Sequence, residues 1–115
     1  MIQEGQIVLF KFPQTDQTLG KLCPALVIRK LPSLHDDWLI CMISSQLSQQ
    51  VPEFDQVIKE EDADFLQSGL KTSSVIRITR LAVVNKNVLL GSMGNIGAER
   101  LIAIKKKLST WIIGT

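Results

Sequence analysis

Aromatic residues are scarce in this sequence, which has no tyrosine and only 5% phenylalanine and tryptophan among its 115 residues. Single-stranded nucleic acid is often bound by stacking its bases on aromatic rings, so a surface built on such stacking is not expected here. Net charge is also small, at +2, with a pI near 8.7. This mild basicity permits a nucleic-acid partner without requiring one.

The sequence has only two cysteines, Cys23 and Cys41. Both lie in apolar runs without CxxC or Cys/His spacing, so neither a zinc site nor a disulfide framework is indicated. We expect free, buried thiols in a reducing compartment. His35, Asp36 and Asp37 are adjacent in one predicted loop and cannot easily all face one ion, so we predict no metal and no cofactor.

No apolar run approaches the length that spans a bilayer, so no membrane segment is expected. The first residues, MIQEGQIVLFKF, lack the basic region and the long apolar core of a signal peptide. The predicted location is therefore cytoplasmic. A length of 115 residues is typical of one domain with its own core, and we assign residues 1–115 to a single domain.

Runs rich in β-branched and aromatic residues, together with apolar alternation, predict the strands. A break at Pro13 predicts a loop from there to Gly20, and Asn85-Lys86-Asn87 predicts a turn. Residues 91–97 are predicted to be a loop. The predicted strands are 7–12, 23–29, 38–43 and 73–81, with a short one at 88–90.

Two helices complete the pattern. An acidic segment at 60–67, closed by Ser68-Gly69, predicts a short helix. From Ala98 an apolar stripe at helical spacing predicts an amphipathic helix with Gly114 as its stop. The stripe consists of Leu101, Ile104, Leu108, Trp111 and Ile112. Strands followed by a final helix favour an α+β domain with a small, antiparallel, barrel-like sheet.

Three segments together resemble the MazF/PemK toxins over nearly the whole chain. They are GQIVLFKFP at 5–13, GKLCPALVI at 20–28, and a third series of Gly69-Leu70-Lys71, Ser74-Val75-Ile76-Arg77 and Gly94-Asn95-Ile96. The resemblance implies an SH3-like barrel, a homodimer and an antitoxin partner. It also implies the toxin role in a type II toxin–antitoxin system, with metal-independent endoribonuclease activity on single-stranded mRNA.

Metal-independent cleavage uses the ribose 2′-OH as nucleophile, so the protein must move protons and stabilise charge on the phosphate. Arginine suits the second task because its planar fork matches phosphate. The family places its main arginine directly before the proline of the second strand, where this chain has Cys23. Lys21, about 7 Å away on the same face of an extended strand, is the nearest basic substitute.

The resemblance implies catalytic roles for Ser44, Ser45 and Arg77, and Lys21, as the substitute for the missing arginine, completes the predicted catalytic set. Gln46, Ser73, Thr79 and Arg80 are the predicted RNA contacts. Thr79 departs from the family, because some members carry an acidic residue there. It can form hydrogen bonds, but it cannot act as a general base at neutral pH.

Each of these residues also has a purely structural interpretation. Ser44 to Gln46 fit a loop after a buried strand, and Arg77 and Arg80 fit the outer face of an amphipathic strand. Lys105 to Lys107 fit a solvated helix face. Two hypotheses therefore stand. The chain is either an active ribonuclease, or a degenerate PemK-like barrel that binds an antitoxin-like peptide or RNA without cleavage.

Overall fold

The computed structural model describes the backbone of residues 2–12 and 21–114, and the side chains of Phe12 and Lys21 are outside that description. The predicted loop at 13–20 therefore lies outside the described residues. In the described part the chain forms six strands, two α-helices and two 3₁₀ turns. These are β1 Gln6–Phe12, β2 Lys21–Lys30, β3 Asp37–Ser44, the turn Leu47–Gln49, β4 Gln56–Ile58, α1 Phe65–Ser68, β5 Ser74–Asn85, the turn Lys86–Val88, β6 Leu89–Asn95 and α2 Ala98–Ile113.

All six strands join one antiparallel sheet in the order β4-β5-β3-β2-β1-β6. The predicted α+β class is confirmed. The sheet is not closed, because β4 and β6 stand at its two edges among the described residues. The barrel and its SH3-like form thus stay predictions. None of the helices in the described ranges is long and apolar enough to cross a membrane.

Most predicted elements are confirmed, but two predictions are wrong and one strand was not predicted. The loop predicted at 91–97 is strand as far as Asn95, because pairing with β1 holds this glycine-rich segment extended. Strand β4 was not expected from the sequence. The helix predicted at 60–67 occupies only Phe65–Ser68, because Asp62 forms a turn in which its Oδ2 accepts a hydrogen bond from the backbone N–H of Lys59 (2.9 Å).

The sheet buries apolar side chains on both faces, as the alternation of residues along each strand requires. The larger cluster lies under α2, which contributes Ile104 and Leu108. A second cluster on the opposite face includes Val8, Val27 and Ile40. The amphipathic stripe of the last helix is confirmed over this buried part, and Gly114 ends the helix in the left-handed conformation, with φ of 88°.

Strand β5 contains a pronounced bulge. Cys41 of β3 is opposite Leu81, whereas the next residue, Met42, is opposite Arg77. Residues 78–80 therefore have no partner on β3, which bends the strand and changes the direction of the side chains beyond the bulge.

Two glycines bring the end of α1 against β6. A Cβ atom on Gly69 would lie 2.1 Å from the carbonyl oxygen of Met93, and one on Gly94 would lie 2.1 Å from that of Gln67. Gly69 also has φ of 76°, which disfavours other residues. Only glycine at both positions allows this approach, and it places Leu70 and Lys71 beside Met93.

The start of α2 is tied to the segment before α1 by Asp64. Its Oδ2 accepts hydrogen bonds from the backbone N–H of Gly97 (2.9 Å) and from Nε of Arg100 (2.8 Å), and its Oδ1 accepts one from Nη2 of Arg100 (3.1 Å). The hydrogen bonds from Arg100, then that from Gly97, lower the pKa of Asp64 below its ordinary value of 3.8. The bonds therefore favour the charged carboxylate.

We expect Asp64→Asn to reduce the free energy of unfolding at pH 7 by about 1.5–3 kcal/mol, the usual value of hydrogen bonds to a charged group. Since the folded-state pKa is lowered, this stabilisation is full above pH 4 and is lost as the pH falls through the folded value. Urea denaturation at pH 7 and at low pH measures both effects. Glu61→Gln, which neutralises an exposed carboxylate nearby, is the control. Equal stability of Asp64→Asn and wild type at pH 7 would contradict the prediction.

Candidate functional site

A groove of about 510 Å³ opens where β2, β3 and β5 meet the segment after α1. We call it the Arg77 groove. Its polar lining consists of Cys23, Ser44, Ser45, Gln46, Lys71, Thr72, Ser74, Arg77 and Arg80. Its apolar lining consists of Leu22, Pro24, Met42, Ile43, Leu70 and Met93. No aspartate or glutamate is among these lining residues.

One wall is formed where β3 ends and the chain turns. The hydroxyl oxygen of Ser44 accepts a hydrogen bond from the backbone N–H of Gln46 (3.0 Å), and the turn Leu47–Gln49 follows at once. Ser45 and Gln46 are exposed in this turn. The wall therefore presents two hydroxyls and one amide to the groove, all groups that can donate hydrogen bonds to phosphate or bases.

Among the described residues, three cations line the groove together with this wall. Arg77 lies opposite Met42 in the β3–β5 pairing, and its Nη1 donates a hydrogen bond to Oε1 of Gln49 (3.3 Å). Its Nε is buried and has no hydrogen-bond partner among the described residues, so the protein does not saturate the guanidinium. Lys71 and Arg80 are exposed. Because the lining residues that the structure describes include no carboxylate, the groove is suited to an anion.

The bulge in β5 explains why two arginines share the groove. In a regular strand, side chains three positions apart point to opposite faces. Regular alternation would therefore turn Arg80 towards the face of Ile76 and Ile78, which are buried in the core. Because residues 78–80 bulge out of the pairing with β3, Arg80 lines the same groove as Arg77.

The structure brings together five of the eight site residues predicted from the sequence: Ser44, Ser45, Gln46, Arg77 and Arg80. Lys21 is the first residue of β2, two positions before Cys23, but its side chain lies outside the described residues.

Ser73 and Thr79 do not line the Arg77 groove. The Ser73 hydroxyl accepts a hydrogen bond from the backbone N–H of Glu60 (3.0 Å). The Thr79 hydroxyl and backbone N–H both donate to the buried carboxylate of Asp55, at 3.0–3.2 Å. Both side chains thus have structural partners, and Thr79 borders an apolar cavity instead.

Sequence reasoning did not assign Lys71 and Thr72 to the site. Lys71 was visible as part of the Gly69-Leu70-Lys71 segment, but nothing in the sequence showed that two glycine contacts would carry it to the groove.

The two cysteines differ in their surroundings. Cys41 is buried as expected, and burial raises the pKa of its thiol to about 12. Cys23 is only half-buried and lies in the groove lining. The described residues contain no group of three or more His, Cys, Asp or Glu side chains that could hold a metal ion.

Comparison with known proteins identifies the family of this chain. The family model for PemK-like, MazF-like toxins of type II toxin–antitoxin systems matches residues 3–112. The match covers nearly the whole chain, so this chain belongs to that toxin family, and the resemblance noted from its sequence is confirmed. No curated protein matches the chain.

Proposed function

We propose that this toxin is an endoribonuclease that cleaves single-stranded RNA without a metal ion. The observation that carries the proposal is the grouping of Ser44, Ser45 and Arg77 with Lys71 and Arg80 in one groove whose described lining residues include no carboxylate. Phosphate is an anion with several acceptor oxygens, and cations with hydroxyl donors are the groups that bind it. A carboxylate-free lining is also a poor donor set for a hard metal ion.

In the proposed reaction the ribose 2′-OH attacks the adjacent phosphorus and the 5′-oxygen leaves. The products are a 2′,3′-cyclic phosphate and a 5′-hydroxyl. Negative charge grows on the phosphoryl oxygens in the transition state, and Arg77 is placed to stabilise it with its remaining donors. Lys71 and Arg80 add to the positive potential, and Ser44 and Ser45 supply hydrogen bonds.

The groove is less well equipped for proton transfer than for the stabilisation of charge. The described residues that line the Arg77 groove include neither a histidine nor a carboxylate, the side chains that most often transfer protons in catalysis. Stabilisation of charge is then the main contribution of the protein. We therefore expect the wild-type chain to cleave RNA slowly.

The antitoxin partner belongs to the same proposal. A groove with three cations and apolar residues such as Leu70 and Met93 is suited to an acidic peptide segment that carries apolar side chains. Such a segment would exclude RNA from the groove. We propose that both partners act in the cytoplasm, and that the sheet has the SH3-like barrel form that the resemblance implies.

We further propose that the toxin is a homodimer, supported by exposed apolar surface. Leu81 and Trp111 are 39% and 60% exposed, and they border an apolar cavity of about 250 Å³ that Phe54 and the buried Leu108 also line. Contiguous apolar surface of this kind marks interaction sites. Sedimentation at micromolar concentration should give about twice the chain mass of 12.8 kDa. A single species at the monomer mass would contradict this.

The decisive test of the ribonuclease proposal is the substitution Cys23→Arg. It puts a guanidinium into the lining of the groove that Ser44 and Arg77 also line, where a new cation would add to the charge that binds the phosphate. Because one charge-stabilising donor is typically worth a factor of about 10²–10³, we expect cleavage of a mixed single-stranded RNA to rise by roughly tenfold or more. The assay is run with EDTA, and Cys23→Ser, similar in size but uncharged, should behave like wild type.

The two hypotheses predict different results in this assay. If wild type and Cys23→Arg are both folded and neither cleaves RNA, the ribonuclease proposal fails and the non-catalytic binding module remains. If EDTA abolishes cleavage, the reaction depends on a metal and the proposed mechanism is wrong.

A further inference from the structure

A chain of hydrogen bonds leads from Arg77 to the wall of the groove. Nη1 of Arg77 donates to Oε1 of Gln49 (3.3 Å), and Nε2 of Gln49 donates to Oε1 of Gln46 (3.2 Å). Gln46 lines the groove, whereas Gln49 does not. The chain therefore connects the candidate phosphate-binding residue to an amide that faces the ligand.

The direction of this chain is fixed by chemistry. A guanidinium can only donate hydrogen bonds, so Gln49 must turn its carbonyl oxygen to Arg77. The NH₂ group of Gln49 then faces Gln46 and needs an acceptor, which in the Gln46 amide is the side-chain carbonyl oxygen. As a result, the remaining group of Gln46, its NH₂, is a donor.

The backbone around Gln46 holds this amide in place. The backbone N–H of Gln46 donates to the Ser44 hydroxyl (3.0 Å), and its carbonyl oxygen accepts from the backbone N–H of Gln49 (3.0 Å). The two N–H bonds of the Gln46 NH₂ group have no partner among the described residues. A rigid turn thus presents two unpaired donors at the groove.

We propose that Gln46 is a specificity-determining residue that favours RNA bases with a keto oxygen, and that Arg77 sets this preference through Gln49. Uracil carries O4 where cytosine carries an amino group, and guanine carries O6 where adenine carries one. An NH₂ donor pairs with the keto oxygen and leaves the amino group unpaired. Unstacked bases of single strands expose these edges. The inference rests on the proposed action on RNA and deepens it.

The hydrogen-bond chain makes a sharp prediction for Gln49→Glu. The new carboxylate has no N–H to donate, so it accepts hydrogen bonds both from Arg77 and from Gln46. The Gln46 amide must therefore turn its NH₂ group towards residue 49. Its carbonyl oxygen then faces the groove as an acceptor. Base preference should therefore reverse, from keto bases to amino bases, although the substituted residue does not line the groove.

Binding of 2′-O-methyl octanucleotides tests this apart from cleavage, because the methyl group removes the nucleophile. The affinities of oligo-U and oligo-C are compared by fluorescence anisotropy at fixed salt. Wild type should prefer oligo-U by about three- to tenfold, the usual effect of one neutral hydrogen bond. Gln46→Ala should bring the ratio near one, and Gln49→Glu should invert it.

Ser48→Glu is the matched control, because it adds the same charge to the same exposed turn without a place in the hydrogen-bond chain. It should weaken both octanucleotides alike and leave their ratio unchanged. A wild-type ratio near or below one, or an unchanged ratio in Gln49→Glu, would overturn the inference while RNA binding stands. If the wild type binds neither octanucleotide and does not cleave RNA, the proposed function fails, and the inference fails with it.

Discussion

Replacing Arg77 with alanine should lower the rate of RNA cleavage by roughly 10²–10³-fold, which corresponds to about 2.7–4 kcal/mol of transition-state stabilisation. Arg77 of β5 lies opposite Met42, near the end of β3. Its guanidinium donates one hydrogen bond to Gln49, and its Nε has no partner among the described residues. Arg77→Lys keeps the charge but loses the planar fork, so its rate should lie between those of wild type and alanine. Single-turnover cleavage of a labelled RNA, with EDTA present, measures the effect.

Arg29→Ala is the matched control for this experiment. Arg29 is an exposed arginine on β2, about 20 Å along the strand from Cys23, and its loss should change cleavage less than about twofold. A thermal melt of each variant separates loss of chemistry from loss of fold. Cleavage that survives Arg77→Ala in a folded protein would show that the site lies elsewhere.

Removal of residues 101–115 should unfold the domain. The deletion takes away Ile104 and Leu108, which are 0% and 5% exposed in the core beneath α2. Truncating one such side chain to alanine already costs about 2–5 kcal/mol. The loss of two such side chains also exposes the face of the sheet that they bury, so the total loss in the free energy of unfolding approaches the 5–15 kcal/mol by which domains are stable. Circular dichroism should show no cooperative melt.

Two point variants in the same helix sharpen this result. Ile104→Ala should lower the free energy of unfolding by about 2–5 kcal/mol. Ile102→Ala, at a position 53% exposed, should change it by less than about 0.5 kcal/mol. A truncated chain that still melts cooperatively near the temperature of the full chain would show that the sheet is stable without α2.

The parts of the fold that the sequence predicts well are those with strong local patterns. The run WLICMI predicts a strand buried on both faces, and β3 is one. The apolar stripe after Ala98 predicts α2. By contrast, β6 has little strand character of its own and depends on pairing with β1. Strand β4 is three residues long, too short for any periodicity to show.

The candidate site divides in the same way. Ser44, Ser45 and Gln46 follow directly from the end of a strand that the sequence already places. Thr79 was predicted as an RNA contact from the resemblance to the family, but it lies in the bulge of residues 78–80, and no residue type there indicates a bulge. The hydrogen bond from the Thr79 hydroxyl to Asp55 could not be predicted from local patterns, because the two residues lie 24 positions apart in the sequence.

The close packing of Gly69 against Met93 and of Gly94 against Gln67 means that one wall of the groove depends on the absence of two side chains. Neither glycine has a side chain, yet together they set how far Lys71 stands from Arg77. Natural selection can therefore act on these two positions as strictly as on a reacting group. If both glycines are invariant in a set of related toxins, we expect the reason to be the width of the groove and not the packing of the core.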